Sequence, residues 1–131
     1  MKPVPTGTTY VHRVETTHAH TADAIGNKGV RVVATPVLIG FLETAALECI
    51  KPFLDEGESS VGTFVNVRHL AAVPEGAFVE AAASVTAVKG RQIEFAVSAK
   101  WNDKLLMEGA HGRAVVTLAR FLERLGLKLS A

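Results

Sequence analysis

The sequence predicts an α+β fold in which one buried helix packs against a curved antiparallel sheet. The first observation behind this prediction is a nearly continuous apolar segment of helical character at residues 35–51. The second is that the chain before it contains one β-rich stretch, and the chain after it contains four, joined mostly by short turns. Short turns join antiparallel neighbours, so the four later strands are expected to form one sheet that can wrap the helix.

Two prolines delimit the helix. Thr35 fits the N-cap position and Pro36 the first helical residue, and Pro52 ends the helix near Lys51. Apolar residues occupy nearly the whole circumference, which predicts a helix buried on several sides. Cys49 lies among them and is expected to be an inert buried thiol; as the single cysteine, it excludes an internal disulfide.

The strands are recognised by alternation and by β-branched residues. The first strand is expected at Thr8–His18, followed by a loop at Thr21–Gly29 and a short extended piece at Arg31–Ala34. The later strands are Val61–Leu70, Phe78–Val88, Gln92–Trp101 and Leu105–Leu118, with a short helix at Ala119–Leu125. Alternation places Val61, Thr63, Val65, Val67 and His69 on one face, and a bulge is expected at Gly109 or Gly112. One helix wrapped by such a sheet resembles the hot-dog fold.

Length and composition favour a single domain spanning residues 1–131. The chain is 48% hydrophobic, and its formal net charge is +1 from 14 basic and 13 acidic residues. The basic residues are scattered, which argues against nucleic acid or an anionic membrane as a partner. No apolar run of about 18 residues and no signal peptide is seen, so a cytoplasmic protein is expected. His18 and His20 lack a third ligand at suitable spacing, so neither a metal nor another cofactor is predicted.

Glu43 is the residue that stands out most. Its neighbours at helical spacing are all apolar or small, namely Ile39, Gly40, Ala46 and Leu47. A carboxylate on such a stripe is costly to bury without a partner, and catalysis is a common reason to retain it. The structural alternative is a pair with Arg68 or Arg113 at a subunit contact.

Thr35 and His69 complete a candidate catalytic set with Glu43. Thr35 lies about two helical turns from Glu43, and His69 ends a strand whose face is apolar. A hydroxyl, a carboxylate and an imidazole can support general acid–base or nucleophilic chemistry. The structural alternatives are an N-cap role for Thr35 and an edge-of-core role for His69.

Arg113 and Gly62 are candidate binding residues. An arginine in the middle of a strand needs a carboxylate or phosphate partner, which a structural ion pair would also satisfy. Gly62 weakens its strand unless a backbone or a ligand approaches closely, or unless a bulge occurs there.

The chain resembles the fluoroacetyl-CoA thioesterase family of single-domain hot-dog proteins over about Val33 to Phe121. The resemblance lies in the order and spacing of several segments: Ala34–Pro36, Leu42–Glu43, Glu56–Thr63, Val67–Ala72 and Gly109–Val115. It implies a thioesterase with Thr35, Glu43 and His69 as catalytic residues, Gly62 against the acyl group and Arg113 in the last strand. It also implies an acyl-CoA substrate and a site formed between the subunits of a homodimer, and it leaves pairing of dimers into tetramers open.

One departure from the family bears on specificity. The fluoroacetate-specific enzyme has a phenylalanine gate just before its catalytic threonine, whereas Asn27–Val33 contains no aromatic residue here. The expected activity is therefore hydrolysis of a small acyl-CoA thioester. The sequence does not indicate that fluoroacetyl-CoA is the substrate. Two alternatives are a non-catalytic acyl-CoA-binding or regulatory domain, and an enoyl-CoA hydratase, for which the expected Asp–His pair is not seen. One fold hosts all three activities.

Overall fold

The computed structural model describes residues 1–130, and its elements follow the predicted order. The strands are β1 (Thr9–Glu15), β2 (Glu58–His69), β3 (Phe78–Lys89), β4 (Gln92–Trp101) and β5 (Lys104–Thr117). The helices are α1 (Thr35–Ile50) and α2 (Leu118–Glu123), with short 3₁₀ turns at His18–His20 and Lys51–Phe53. The first strand is thus shorter than predicted, because His18 enters a 3₁₀ turn. β2 begins at Glu58, three residues before the predicted start at Val61.

All five strands form one antiparallel sheet in the order β1-β3-β4-β5-β2. β1 and β2 are therefore its two edges, although the helix separates them in the chain. Between β1 and α1, the loop is held by isolated bridges that pair Thr21 with Val33 and Val32 with Pro74. These bridges place the start of α1 beside the end of β2.

Helix α1 forms the centre of the core, packed mainly against β1, β3 and β4. Its inward side is buried and consists of Leu38, Phe41, Leu42, Ala45, Ala46, Cys49 and Ile50. The buried residues of β3 and β4 alternate against it, as expected for a sheet with one face on the core. This arrangement confirms the predicted α+β hot-dog fold. Burial raises the pKa of the Cys49 thiol, as expected for a cysteine enclosed by the core.

The N-cap prediction for Thr35 is wrong. Ala34 occupies the N-cap with extended backbone angles, and Thr35 is the first helical residue. No side chain caps this end of the helix. The Thr35 hydroxyl is consequently free to bond elsewhere.

The bulge predicted for β5 is not at Gly109 or Gly112, because the pairing of β5 with β4 shifts at Leu106. A bulge in β2 lies beside Gly62, as in the structural alternative for that glycine. Gly62 pairs with Arg113 and Phe64 pairs with Gly112, which leaves Thr63 as the extra residue. The bulge breaks the alternation, so Gly62 shares the inner face with Val65, while Val61 lies on the outer face. Gly109 and Gly112 are instead needed for close approach: an added Cβ would lie 2.1 Å from Asn66 O and 2.7 Å from the Phe64 ring, respectively.

Within residues 1–130, no helix is long and apolar enough to cross a membrane.

Candidate active site

The structure brings Thr35 and His69 into direct contact. Thr35 Oγ1 lies 2.7 Å from His69 Nδ1, a hydrogen bond between residues 34 positions apart in the chain. The contact forms because the start of α1 meets the end of β2. Both residues are exposed in the single chain, so the pair opens to a potential ligand.

Glu43 lies against the bulged part of β2. An added Cβ at Gly62 would be 3.0 Å from Glu43 Oε2, so the glycine leaves room for the carboxylate. The Glu43 side chain nevertheless remains 42% exposed. The carboxylate thus occupies a niche open on one side, where a ligand can reach it.

Arg113 forms the inner wall of this niche. Its Nε donates to Ser60 Oγ at 2.8 Å and its Nη2 donates to Ser60 O at 2.9 Å. Its Nη1 lies 3.8 Å from Glu43 Oε2. Burial lowers the pKa of the Arg113 guanidinium, and the Glu43 charge opposes that effect. The arginine therefore contacts Glu43 within one chain, whereas the sequence suggested this pair at a subunit contact.

Two residues of this network were missed as functional candidates from the sequence. Ser60 binds the Arg113 guanidinium, and His111 Nε2 lies 3.2 Å from Arg113 Nη1. A signal was present for His111, because strand alternation puts it on the same face as Arg113. No sequence signal identified Ser60, since its role depends on how β2 and β5 align.

In one chain, the candidate residues form two groups along α1. Thr35 and His69 make one group, and Glu43, Gly62 and Arg113 make the other. The eight-residue spacing from Thr35 to Glu43 separates their backbones by about 12 Å. Helical side chains lean towards the N-terminus, so the Glu43 carboxylate is directed back towards the Thr35 end. An extended ligand lying along the helix can therefore contact both groups.

The side of α1 that carries Glu43 is incompletely covered. The half-buried residues there include Val37, Gly40, Thr44 and Leu47. Glu43 is 42% exposed on this side, and Val65 is the exposed apolar residue that β2 carries on the same, inner face of the sheet. A hollow of about 270 Å³ also lies beside the site, lined by His69–Ala72. A further hollow of about 520 Å³ lies on the opposite face of the sheet, away from the Thr35–His69 pair.

Solved structures of several thioesterases resemble this fold. The fluoroacetyl-CoA thioesterase FlK matches with a TM-score of 0.89 and 28% identity, over 98% of this chain and all of the other. A threonine-to-serine mutant of FlK, solved with acetyl-CoA, matches with a TM-score of 0.90. A Thermus thermophilus protein of the thioesterase superfamily matches with a TM-score of 0.88 and 28% identity, over 96% of each chain.

Sequence comparison points to the same group of enzymes. Residues 16–119 match the family model for the fluoroacetyl-CoA-specific thioesterase FlK. A fluoroacetyl-CoA thioesterase from Streptantibioticus cattleyicolor is 36% identical over 100 residues, covering 76% of this chain and 72% of the relative. The chain therefore belongs to the fluoroacetyl-CoA-specific thioesterase family and is a thioester hydrolase of the hot-dog fold.

Proposed function

We propose that this protein hydrolyses a small acyl-CoA thioester to the free acid and CoA, with Thr35, Glu43 and His69 as its catalytic residues. The observation that carries this assignment is the 2.7 Å contact between Thr35 Oγ1 and His69 Nδ1. An imidazole nitrogen at that distance can accept a proton from the hydroxyl or from a water in its place. The open niche around Glu43 supplies a carboxylate on the same helix.

In the proposed reaction, His69 acts as the general base and takes a proton from water or from the Thr35 hydroxyl. Glu43 orients the attacking water or attacks the thioester carbon itself, forming an anhydride that water then cleaves. In either route the C–S bond breaks, and the CoA thiolate leaves with a proton returned to it. An anhydride at Glu43 would be detected in rapidly quenched enzyme as a mass increase equal to the acyl group less one hydrogen.

The first turn of α1 offers a donor for the developing oxyanion. Val37 and Leu38 both donate their N–H groups to Ala34 O, and Pro36 has no N–H. Within residues 1–130, this leaves the Thr35 N–H as the amide of this turn without an acceptor. A helix N-terminus favours negative charge, and a free amide directed at an oxyanion stabilises the transition state.

Gly62 and Arg113 are proposed to form the acyl-binding wall. The absence of a side chain at Gly62 leaves space against Glu43, and its backbone can contact the acyl group. Arg113 is held by two bonds to Ser60. The fixed guanidinium lies 3.8 Å from Glu43 Oε2, where its charge can orient the carboxylate for either role.

The active form is proposed to be a homodimer joined along β2. β2 is an edge strand, and Phe64, Val65 and nearby Leu70 are 38%, 39% and 51% exposed. A long edge strand with exposed apolar residues readily pairs with a second copy. A partner there would cover the open side of α1 and enclose the substrate between subunits.

The direct test is thiol release from a panel of acetyl-, fluoroacetyl-, branched and aromatic acyl-CoAs. Wild type should turn over at least one ester, and His69→Ala should lower that rate by roughly 100-fold or more. His18→Ala is the matched control, because His18 is 55% exposed and lies outside the site. A fully active His69→Ala would remove His69 from the mechanism. Saturable binding without turnover would instead support an acyl-CoA-binding domain.

A further inference from the structure

His111 is a buried imidazole outside the proposed catalytic set. Its exposed fraction is 1%, and its ring stacks on Phe95 with centroids 6.0 Å apart. Nδ1 lies 2.8 Å from Phe64 O, and Nε2 lies 3.2 Å from Arg113 Nη1. Both ring nitrogens therefore have a protein partner.

These two partners select one form of the ring. A carbonyl oxygen only accepts, so Nδ1 must carry the proton that is donated to Phe64 O. A guanidinium only donates, so Nε2 must offer a lone pair to Arg113. The neutral Nδ1–H tautomer satisfies both contacts, whereas an imidazolium would present an N–H to a cation.

Burial supports the neutral form. Burial is the largest effect on the pKa of His111 and lowers it, and the nearby Arg113 charge also lowers it. The hydrogen bond to Phe64 O and the Glu43 charge raise this pKa, but the net shift is downward. Within residues 1–130, Arg113 and Glu43 are the charged groups that act on this ring. Phe95 on β4 and Phe64 on β2 present an aromatic face and a backbone carbonyl.

His111 touches both walls of the Glu43 niche. On one side it contacts Arg113 Nη1, the nitrogen that lies 3.8 Å from Glu43 Oε2. On the other side, an added Cβ at Gly62 would be 3.4 Å from His111 Cε1. Its bond to Phe64 O also holds the residue that follows the bulge. One side chain therefore contacts both the cation and the glycine that flank the carboxylate, and it binds Nη1 of Arg113 while Ser60 binds Nε and Nη2.

We propose that neutral His111 is a positioning residue that, by accepting a hydrogen bond at Nε2, aims Arg113 at Glu43. This role rests on the proposed thioesterase function. In this role His111 does not touch Thr35, Glu43 or His69 directly. It acts on Glu43 through its contacts with Arg113 and Gly62. Its loss should therefore lower kcat more than it raises KM.

Three variants separate the two contacts of the ring. His111→Gln retains an acceptor near the Nε2 position, His111→Asn retains a donor near the Nδ1 position, and His111→Phe retains the ring and neither contact. We expect kcat to fall about 10- to 100-fold in His111→Phe and His111→Asn, as for a displaced supporting group, and to recover substantially in His111→Gln. KM should stay within about threefold in all three. Equal activity of the variants, or recovery in His111→Asn instead, would overturn the proposal.

A second readout does not depend on turnover. ¹⁵N NMR of the wild type at neutral pH should show His111 protonated at Nδ1 and unprotonated at Nε2. The ¹³C signal of the Glu43 carboxylate should shift in His111→Phe and return towards its wild-type position in His111→Gln. Protonation at Nε2, or an unmoved Glu43 signal, would contradict the proposed role. If wild type releases no thiol from any ester, the proposed function fails, and the NMR result alone decides the role of His111.

Discussion

The Glu43 carboxylate and Gly62 are in such close contact that an added Cβ on the glycine would lie 3.0 Å from Glu43 Oε2. The two residues meet because the bulge at Thr63 turns Gly62 to the inner face of the sheet. A carboxylate among apolar and small neighbours on α1 is thereby given space, one neighbouring cation and an open side.

Gly62→Ala should lower thioester hydrolysis while preserving the fold. The new methyl group would displace Glu43 Oε2 and press on His111 Cε1, which is 3.4 Å away. Displacement of a reacting group by a fraction of an ångström to 1 Å costs up to about 100-fold in rate. Steady-state thiol release measures the loss, with Asn66→Ala on the outer face of the same strand as control. Unchanged kcat in Gly62→Ala would show that the carboxylate position is not critical.

Thr35→Val should nearly abolish activity, and Thr35→Ser should retain most of it. Valine keeps the shape of threonine but cannot bond to His69 Nδ1, whereas serine keeps the hydroxyl. Because Ala34 occupies the N-cap and no side chain caps α1, the loss should come from chemistry and not from helix stability. Thermal unfolding run beside the rate assay checks this. A large drop in melting temperature for Thr35→Val would instead indicate a structural role.

Val65→Lys should convert the protein to a monomer. Val65 is 39% exposed on the edge strand β2, and a lysine there opposes pairing with a second copy. The matched control is Val11→Lys on β1, the other edge of the sheet, where Val11 is 49% exposed. Light scattering measures the mass of each variant, and thiol release should fall only in Val65→Lys. Dimers in both variants, or a monomeric wild type, would contradict the β2 interface.

Glu58 should make stability depend on pH in the acid range. Its pKa is lowered to about 2, first by the Asp55 N–H, which donates to its carboxylate, and then by the Met1 ammonium and Arg91. A depressed folded-state pKa stabilises the fold fully above the ordinary value of 4.5, and the effect is lost as pH falls towards about 2.

Urea unfolding of wild type and Glu58→Gln at several pH values measures this contribution. Wild type should be the more stable at pH 7, and the difference should shrink steadily between about pH 4.5 and 2. A difference that stays constant with pH would show that the Glu58 charge does not contribute to it.

The sequence by itself determined the elements and the residues of interest. Apolar periodicity and bounding prolines located α1, and alternation with turn residues located the later strands, because these signals lie within a few neighbouring positions. Glu43 was identified for a similar reason, because the residues three and four positions away on the same helix are apolar or small. Burying a charge among them is costly, and this can be inferred from local sequence alone. Arg113 was found in the same way, as a cation in the middle of a strand.

Only the tertiary structure decided how these residues meet. The Thr63 bulge moved Gly62 to the inner face, against strict alternation, because the pairing of β2 with β5 sets its register. Thr35 met His69 across 34 residues, and Arg113 met Ser60 across 53. Such contacts depend on packing between segments far apart in the chain. Local sequence therefore predicts which groups are costly to bury, whereas the fold decides which partner stabilises each of them.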